Sequence, residues 1–210
     1  MIAGSVDEPG ASGGPRIEVR WIVPGPPPAG VIEWFERLPT GSEVREDSYL
    51  VAPRLPGLAL KIRGGLALDV KLFRGGCGIL TVPGIGAGYL GCWSKWSFPF
   101  GATIRPPDDA SSWRQVKKHR RLSTFLPDDG RMIAGLLASH EGRMCTAELS
   151  EVTVGEGRWW TFALEAAGPT DRLRQAIEAA AARFLTDAPG DLRLDLEHSR
   201  SYADWLEAHP

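Results

Sequence analysis

Between residues 16 and 23 apolar and polar side chains alternate. Ile17, Val19, Trp21 and Val23 fall on one face, and Arg16, Glu18, Arg20 and Ile22 on the other. A period of two marks a β-strand buried on one side. The alternation recurs at 58–64, where Lys61 and Arg63 share a face, at 66–73 with Asp69 and Lys71, and at 143–154 with Glu148. Further strands are predicted over 43–52, 92–100, 113–125 and 158–166, with hairpin turns at Gly64-Gly65 and 155–157. Residues 75–91 hold seven glycines and are predicted as loop, with a short strand near 79–82. Residues 106–112 and 128–130 are predicted as turns, and 132–139 suit strand or helix equally.

Elsewhere the period becomes helical. Val31, Trp34, Phe35 and Leu38 define a short amphipathic helix over 31–38. Leu173, Ile177, Ala180, Ala181, Phe184 and Leu185 form one stripe over 170–186, with Thr170 as N-cap and Asp171 at the positive end of the dipole. A last helix over 201–208 packs Tyr202, Trp205 and Leu206. The fold class expected is α+β: an antiparallel β-barrel covered by a long C-terminal helix and shorter ones. Residues 1–15 are expected to be a disordered leader, and 16–210 a single domain.

Composition narrows the function. The 210 residues are 43% hydrophobic and carry a net charge of −2, so a generally basic nucleic-acid binder is not expected. Any anion site must be a local concentration of Lys and Arg. Cys77, Cys92 and Cys145 lack metal-ligand spacing and read as reduced thiols of the cytosol. No apolar run reaches the ~18–20 residues of a membrane span, and the first residues lack signal-peptide character. A cytoplasmic protein without a membrane partner is expected. Gly86–Gly91 spells G-x-G-x-x-G, but a strand-like run follows it where a dinucleotide site needs a helix. The four histidines show no ligand spacing, and the tryptophans on strands read mainly as core.

A sheet with one apolar face and one face of mixed charge points to a barrel whose lumen binds a polyanion. For any one strand, a polar face turned to water is the simpler account. For four strands in series, the lumen is simpler. The basic run Lys117–Arg121 on its own could equally be a solvated edge.

In this order the charged segments resemble the CYTH, or triphosphate tunnel metalloenzyme, superfamily. Its opening E-x-E-x-K strand is matched by Arg16-Ile17-Glu18-Val19-Arg20, and its paired basic strands by Lys61-Ile62-Arg63 and Leu68-Asp69-Val70-Lys71. Lys118-His119-Arg120 matches a later K-x-R strand. Glu148-Leu149-Ser150 and Phe162-Ala163-Leu164-Glu165 match its closing acidic strands, and Ser201-Tyr202 its terminal helix. Each motif is short, and order carries the likeness. The resemblance implies a tunnel-shaped barrel and a divalent-metal-dependent phosphohydrolase acting on a triphosphate-bearing substrate. Arg20, Lys61, Arg63, Lys71, Lys118 and Arg120 would then grip phosphates. Glu18, Glu148 and Glu165 would hold Mg²⁺ or Mn²⁺, with Asp69 a weaker fourth, and Glu148 and Glu165 would serve catalysis. The sequence departs from the pattern where Arg16 replaces the first glutamate and Arg20 the lysine. That departure favours the alternative of a non-catalytic binder of polyphosphate or another anionic metabolite. Whether the chain forms a homodimer is left open.

Overall fold

Strands with one charged and one apolar face must keep the charged face out of a dry core. Closing the sheet on itself solves this. A computed structural model, describing residues 12–52, 55, 57–106, 112–135 and 143–208, shows that closure. The strands are β1 (Ser12–Pro24), β2 (Gly41–Leu50), β3 (Leu58–Arg63), β4 (Ala67–Val82), β5 (Gly86–Pro99), β6 (Trp113–Leu126), β7 (Arg131–Ala134), β8 (Met144–Val154) and β9 (Gly157–Ala167). They run in the order β2-β3-β4-β5-β1-β9-β8-β6-β7, and β2 pairs with β6 to close eight of them into a barrel. Every named pairing is antiparallel.

The apolar core lies outside this barrel. Helix α1 (Ala29–Glu36) and helix α2 (Leu173–Leu185) cover one side of the wall. Ile17, Val19 and Trp21 of β1 and Phe162 and Leu164 of β9 pack there with Val31, Trp34, Phe35, Ile177 and Phe184. A smaller cluster at one end joins Ile22, Tyr49, Val116 and Val152 to Tyr202, Trp205 and Leu206 of helix α3 (Tyr202–Ala208). Ser201 caps α3, accepting from the Asp204 amide at 3.2 Å and donating to its carboxylate at 2.7 Å. Beyond the Glu18–Gly91 pair, β1 and β5 part. The segment around Ser199 fills the gap: Ser199 bridges to Trp21, the Tyr89 amide donates to Ser199 Oγ at 2.8 Å, and the Arg200 amide to the Arg20 carbonyl at 3.0 Å.

Several expectations are corrected. The glycine-rich stretch 75–91 is not loop but the distal part of a long β4–β5 hairpin, turning at residues 83–85. Glycine suits this wall because bulky neighbours lie across it: a Cβ on Gly88 would stand 2.5 Å from Trp21 and Val19 atoms. Bulges after Phe73 and Gly76 absorb the irregular register. The hairpin also brings Cys77 and Cys92 together, Cα to Cα 5.8 Å, in a disulfide. They are not the free thiols expected, so cysteine usage no longer supports a reducing compartment. Cys145 is free and buried. Thr170 is not the N-cap of α2, because a 3-10 turn over Thr170–Arg172 precedes the helix. Strand β1 begins at Ser12, within the expected leader, and pairs there with β5. Trp96 is 38% exposed, outside any core. Residues 132–134 belong to the short strand β7. The rest of the leader (1–11), residues 107–111 of the predicted turn and 136–139 lie outside the described residues. Among the described residues no helix is long and apolar enough to cross a membrane.

Gly88→Val should lower unfolding free energy by about 1–3 kcal/mol through overpacking. Gly76→Ala, with nothing within 4 Å of its Cβ, should change it by about 0.5 kcal/mol or less. Urea denaturation of both variants checks this.

Candidate functional site

Position along each strand decides which charges enter the lumen. The basic run of β6 divides by the pleat. Lys118 and Arg120 face inward, whereas the Lys117 side chain is 72% exposed and Arg121 is held between Glu36 and Glu151. Of the residues singled out in the sequence, Glu18, Arg20, Lys61, Asp69, Lys71, Lys118, Arg120, Glu148 and Glu165 line one cavity of about 130 Å³. Arg63 does not line it. That side chain is 37% exposed and donates to Asp69 and, at 2.7 Å, to Ser97 Oγ.

Arg45, Lys95, Tyr49 and Tyr202 also line the cavity and go unnoticed as site residues in the sequence. For β2 the signal was present: Glu43, Arg45, Asp47 and Tyr49 alternate with Val44, which is 82% exposed. Lys95 shares a period-2 face with Trp93 and Ser97, all three facing inward or buried.

Three knots of charge follow from the strand register. Glu18 of β1 stands directly opposite Glu165 of β9. Lys71 Nζ donates to Glu18 Oε2 and, at 2.6 Å, to Glu165 Oε2. Arg20 Nε donates to Glu18 Oε1 at 3.0 Å, while Arg16 and Lys95 each stand 3.7 Å from Glu165 Oε1. In the second knot Glu148 Oε1 accepts from Arg20 at 3.1 Å and Ser150 at 3.0 Å, and its Oε2 from Arg120 Nε at 3.1 Å. The third surrounds Asp47, which is fully buried. Arg45 and Lys61 donate to its Oδ2 at 3.2 and 3.3 Å, and Lys118 lies 3.5 Å away. Lys118 donates to Tyr49 Oη at 2.6 Å and sits 3.8 Å above the Tyr202 ring.

These contacts set the ionisation. Burial alone would raise the Glu148 pKa, but Arg120, Arg20 and Lys118 hold it well below the usual carboxylate range. Burial likewise opposes ionisation of Glu165 and Asp47, yet Lys71 and Lys95 in one case, Lys61 and Lys118 in the other, keep both depressed. Burial opposes the Lys71 charge, and Glu165 with Glu18 more than restores it. Two lysines go the other way. Burial drives Lys118 well down despite Asp47. Glu165 pulls Lys95 up, but burial together with Lys71 and Lys61 outweighs it, and the net direction is down.

The register also sets cations face to face: Lys71 opposite Lys95, and Arg45 opposite Lys118. Like charges directly opposed across a sheet repel. Seven Lys and Arg side chains line the cavity beside four carboxylates. A second cavity of about 560 Å³ shares Glu18, Arg20, Trp93 and Ser201 with the first and opens past Phe73 and Tyr89.

The donor set fits a divalent ion poorly. Each of the six oxygens of Glu18, Glu148 and Glu165 faces a cationic side chain of the protein itself. Among the described residues the carboxylates of the lumen form no group of three whose ligand atoms lie within 4.8 Å of one another. Asp195, Glu197 and His198, on a surface turn, do.

No family model and no curated protein matches the chain. Among solved structures, a conserved hypothetical protein from Pyrococcus furiosus is similar at a TM-score of 0.50 and 16% identity, over 90% of this chain and 98% of that one. A protein from Pyrococcus horikoshii OT3 aligns at 0.48 and 16%, over 92% and 99%. The S. pombe Pct1 RNA triphosphatase, solved in complex with the Spt5 CTD, aligns at 0.35 and 9%, over 84% and 81%. At such identity the first likeness speaks for the fold alone. An eight-stranded antiparallel barrel with a charged lumen fits the triphosphate tunnel superfamily that the motifs resemble.

Asp47→Asn should destabilise the fold by about 3–5 kcal/mol, because Lys118 and Lys61 lose their counter-charge in a buried site. Chemical denaturation measures it. Carboxylates with depressed folded pKa values contribute stability above their unfolded pKa near ~4 and lose it as pH falls through the folded value. Melting temperature should therefore drop steeply below about pH 4, and less steeply in Asp47→Asn.

Proposed function

We propose that the tunnel binds a compact, multiply charged phosphate-type anion such as triphosphate or a short polyphosphate. The observation that carries this reading is the pairing of like cations, Lys71 with Lys95 and Arg45 with Lys118, around one cavity. Burial, with repulsion from Lys61 and Arg120 on Lys118 and from Lys71 and Lys61 on Lys95, holds both lysines below their ordinary pKa. A polyanion between them relieves both costs, and guanidinium and ammonium donors at several heights suit a chain of phosphoryl oxygens. Fold and motif order support a tunnel of the CYTH kind. The chain is read first as a binder, because the lumenal carboxylates are engaged by protein cations.

A metal-dependent phosphohydrolase is the second reading. Its support is that Glu18, Glu148 and Glu165 do share the lumen with the cations. Phosphate release from triphosphate with Mg²⁺ or Mn²⁺, abolished in Glu165→Gln with binding retained, would establish it over the binder.

Titration calorimetry with inorganic triphosphate should show one site. Lys95→Ala should weaken it about 10-fold or more, the loss of a charge-assisted contact worth ~1.5–3 kcal/mol. Binding should take up protons, because an anion raises lysine pKa values, and heats in buffers of different ionisation enthalpy will report this. No binding, or binding indifferent to Lys95, would sink the proposal.

A further inference from the structure

We infer that the Lys71 ammonium stands in for a divalent cation between Glu18 and Glu165, so that the tunnel takes its anion free of metal. The inference rests on the anion-binding reading above. It begins with the register: Glu18 and Glu165 are cross-strand neighbours in a confined lumen, a placement that requires a cation between them. The chain supplies that cation covalently. Lys71 Nζ donates to one oxygen of each carboxylate. The remaining oxygen of Glu18 accepts from Arg20, and that of Glu165 faces Arg16 and Lys95.

A magnesium ion requires oxygens directed at one point about 2.0–2.1 Å away. Between these carboxylates it would meet the Lys71 ammonium at the same place, with three further cations close by. Coulomb repulsion at such separations and low effective dielectric exceeds what the two carboxylates could return. An ammonium has three donors. Two of Lys71's are engaged by Glu18 and Glu165, and the third is left for an oxygen of the bound anion, opposite Lys95. The acid pair thus fixes Lys71 in place, and the anion completes its coordination. Magnesium then acts as a competitor, because it chelates triphosphate in solution and removes the free anion from the tunnel.

Two measurements test this. Calorimetric titration of the full chain with triphosphate in chelator should show binding, weakened at least tenfold when Mg²⁺ is present in excess over the anion. Tighter binding with Mg²⁺, or binding that needs it, would overturn the inference and leave the anion reading standing. Failure to bind in either buffer would remove the anion reading and the inference with it. Separately, Mn²⁺ alone, followed by electron paramagnetic resonance, should not bind the lumen of the wild type. Lys71→Met should gain a Mn²⁺ site, and adding Glu165→Gln to it should abolish that site again. Wild-type Mn²⁺ binding that Glu165→Gln removes would overturn the proposal without reliance on the Lys71 variant.

Discussion

Lining a cavity of about 130 Å³ with charge of both signs is possible only where every carboxylate meets a cation, and this compensation is the constraint on which the molecule depends. It explains why the ionic residues come from eight strands yet are spaced as knots: Lys71 with Glu18, Lys71 and Lys95 with Glu165, Arg20 and Arg120 with Glu148, Arg45, Lys61 and Lys118 with Asp47. It also explains why the hydrophobic core had to move outside the wall, under α1 and α2.

The compensation is deliberately uneven. Glu148 is engaged at both oxygens, and Asp47 by three cations, so these two groups hold the walls in register. Lys95 has Glu165 at 3.7 Å, a weaker pull from Asp69 and two cationic neighbours, Lys71 and Lys61. That contrast separates the charges that keep the barrel closed from those free to meet a ligand. Tyr49 and Tyr202 extend the same logic, offering ring faces to Lys118 and Arg20 where a further carboxylate would overfill the space.

Much of this was legible beforehand, because period-2 alternation is a local property and survives without tertiary information. The charged faces of β1, β3, β4 and β8, with Glu18, Arg20, Lys61, Lys71 and Glu148, could be read directly, whereas Lys118 and Arg120 of β6 were picked out only by the family resemblance. What escaped depended on contacts between distant segments. Glycines at 75–91 suggest loop until Trp21 is known to lie against Gly88, and with that hairpin hidden the Cys77–Cys92 disulfide was hidden too. Arg63 alternates correctly but sits where the wall ends, so its pairing with Asp69 and Ser97 is visible only in three dimensions. The engagement of Glu18 and Glu165 by Lys71 depends on barrel closure, which no single strand announces.

The seam between β1 and β5 carries a kinetic implication. Trp21, near the start of the chain, is bridged by Ser199, and β1 also lies beside β9. One edge of the first strand can pair early with β5, but its other edge and the Trp21 bridge wait for β9 and the Ser199 segment, far along the chain. Topologies that join such remote segments fold slowly, because chain ordering must precede the rewarding contacts. Until then the half-built wall exposes unpaired edges and uncompensated charges, and a nascent chain of this kind is the form most open to proteases and chaperones.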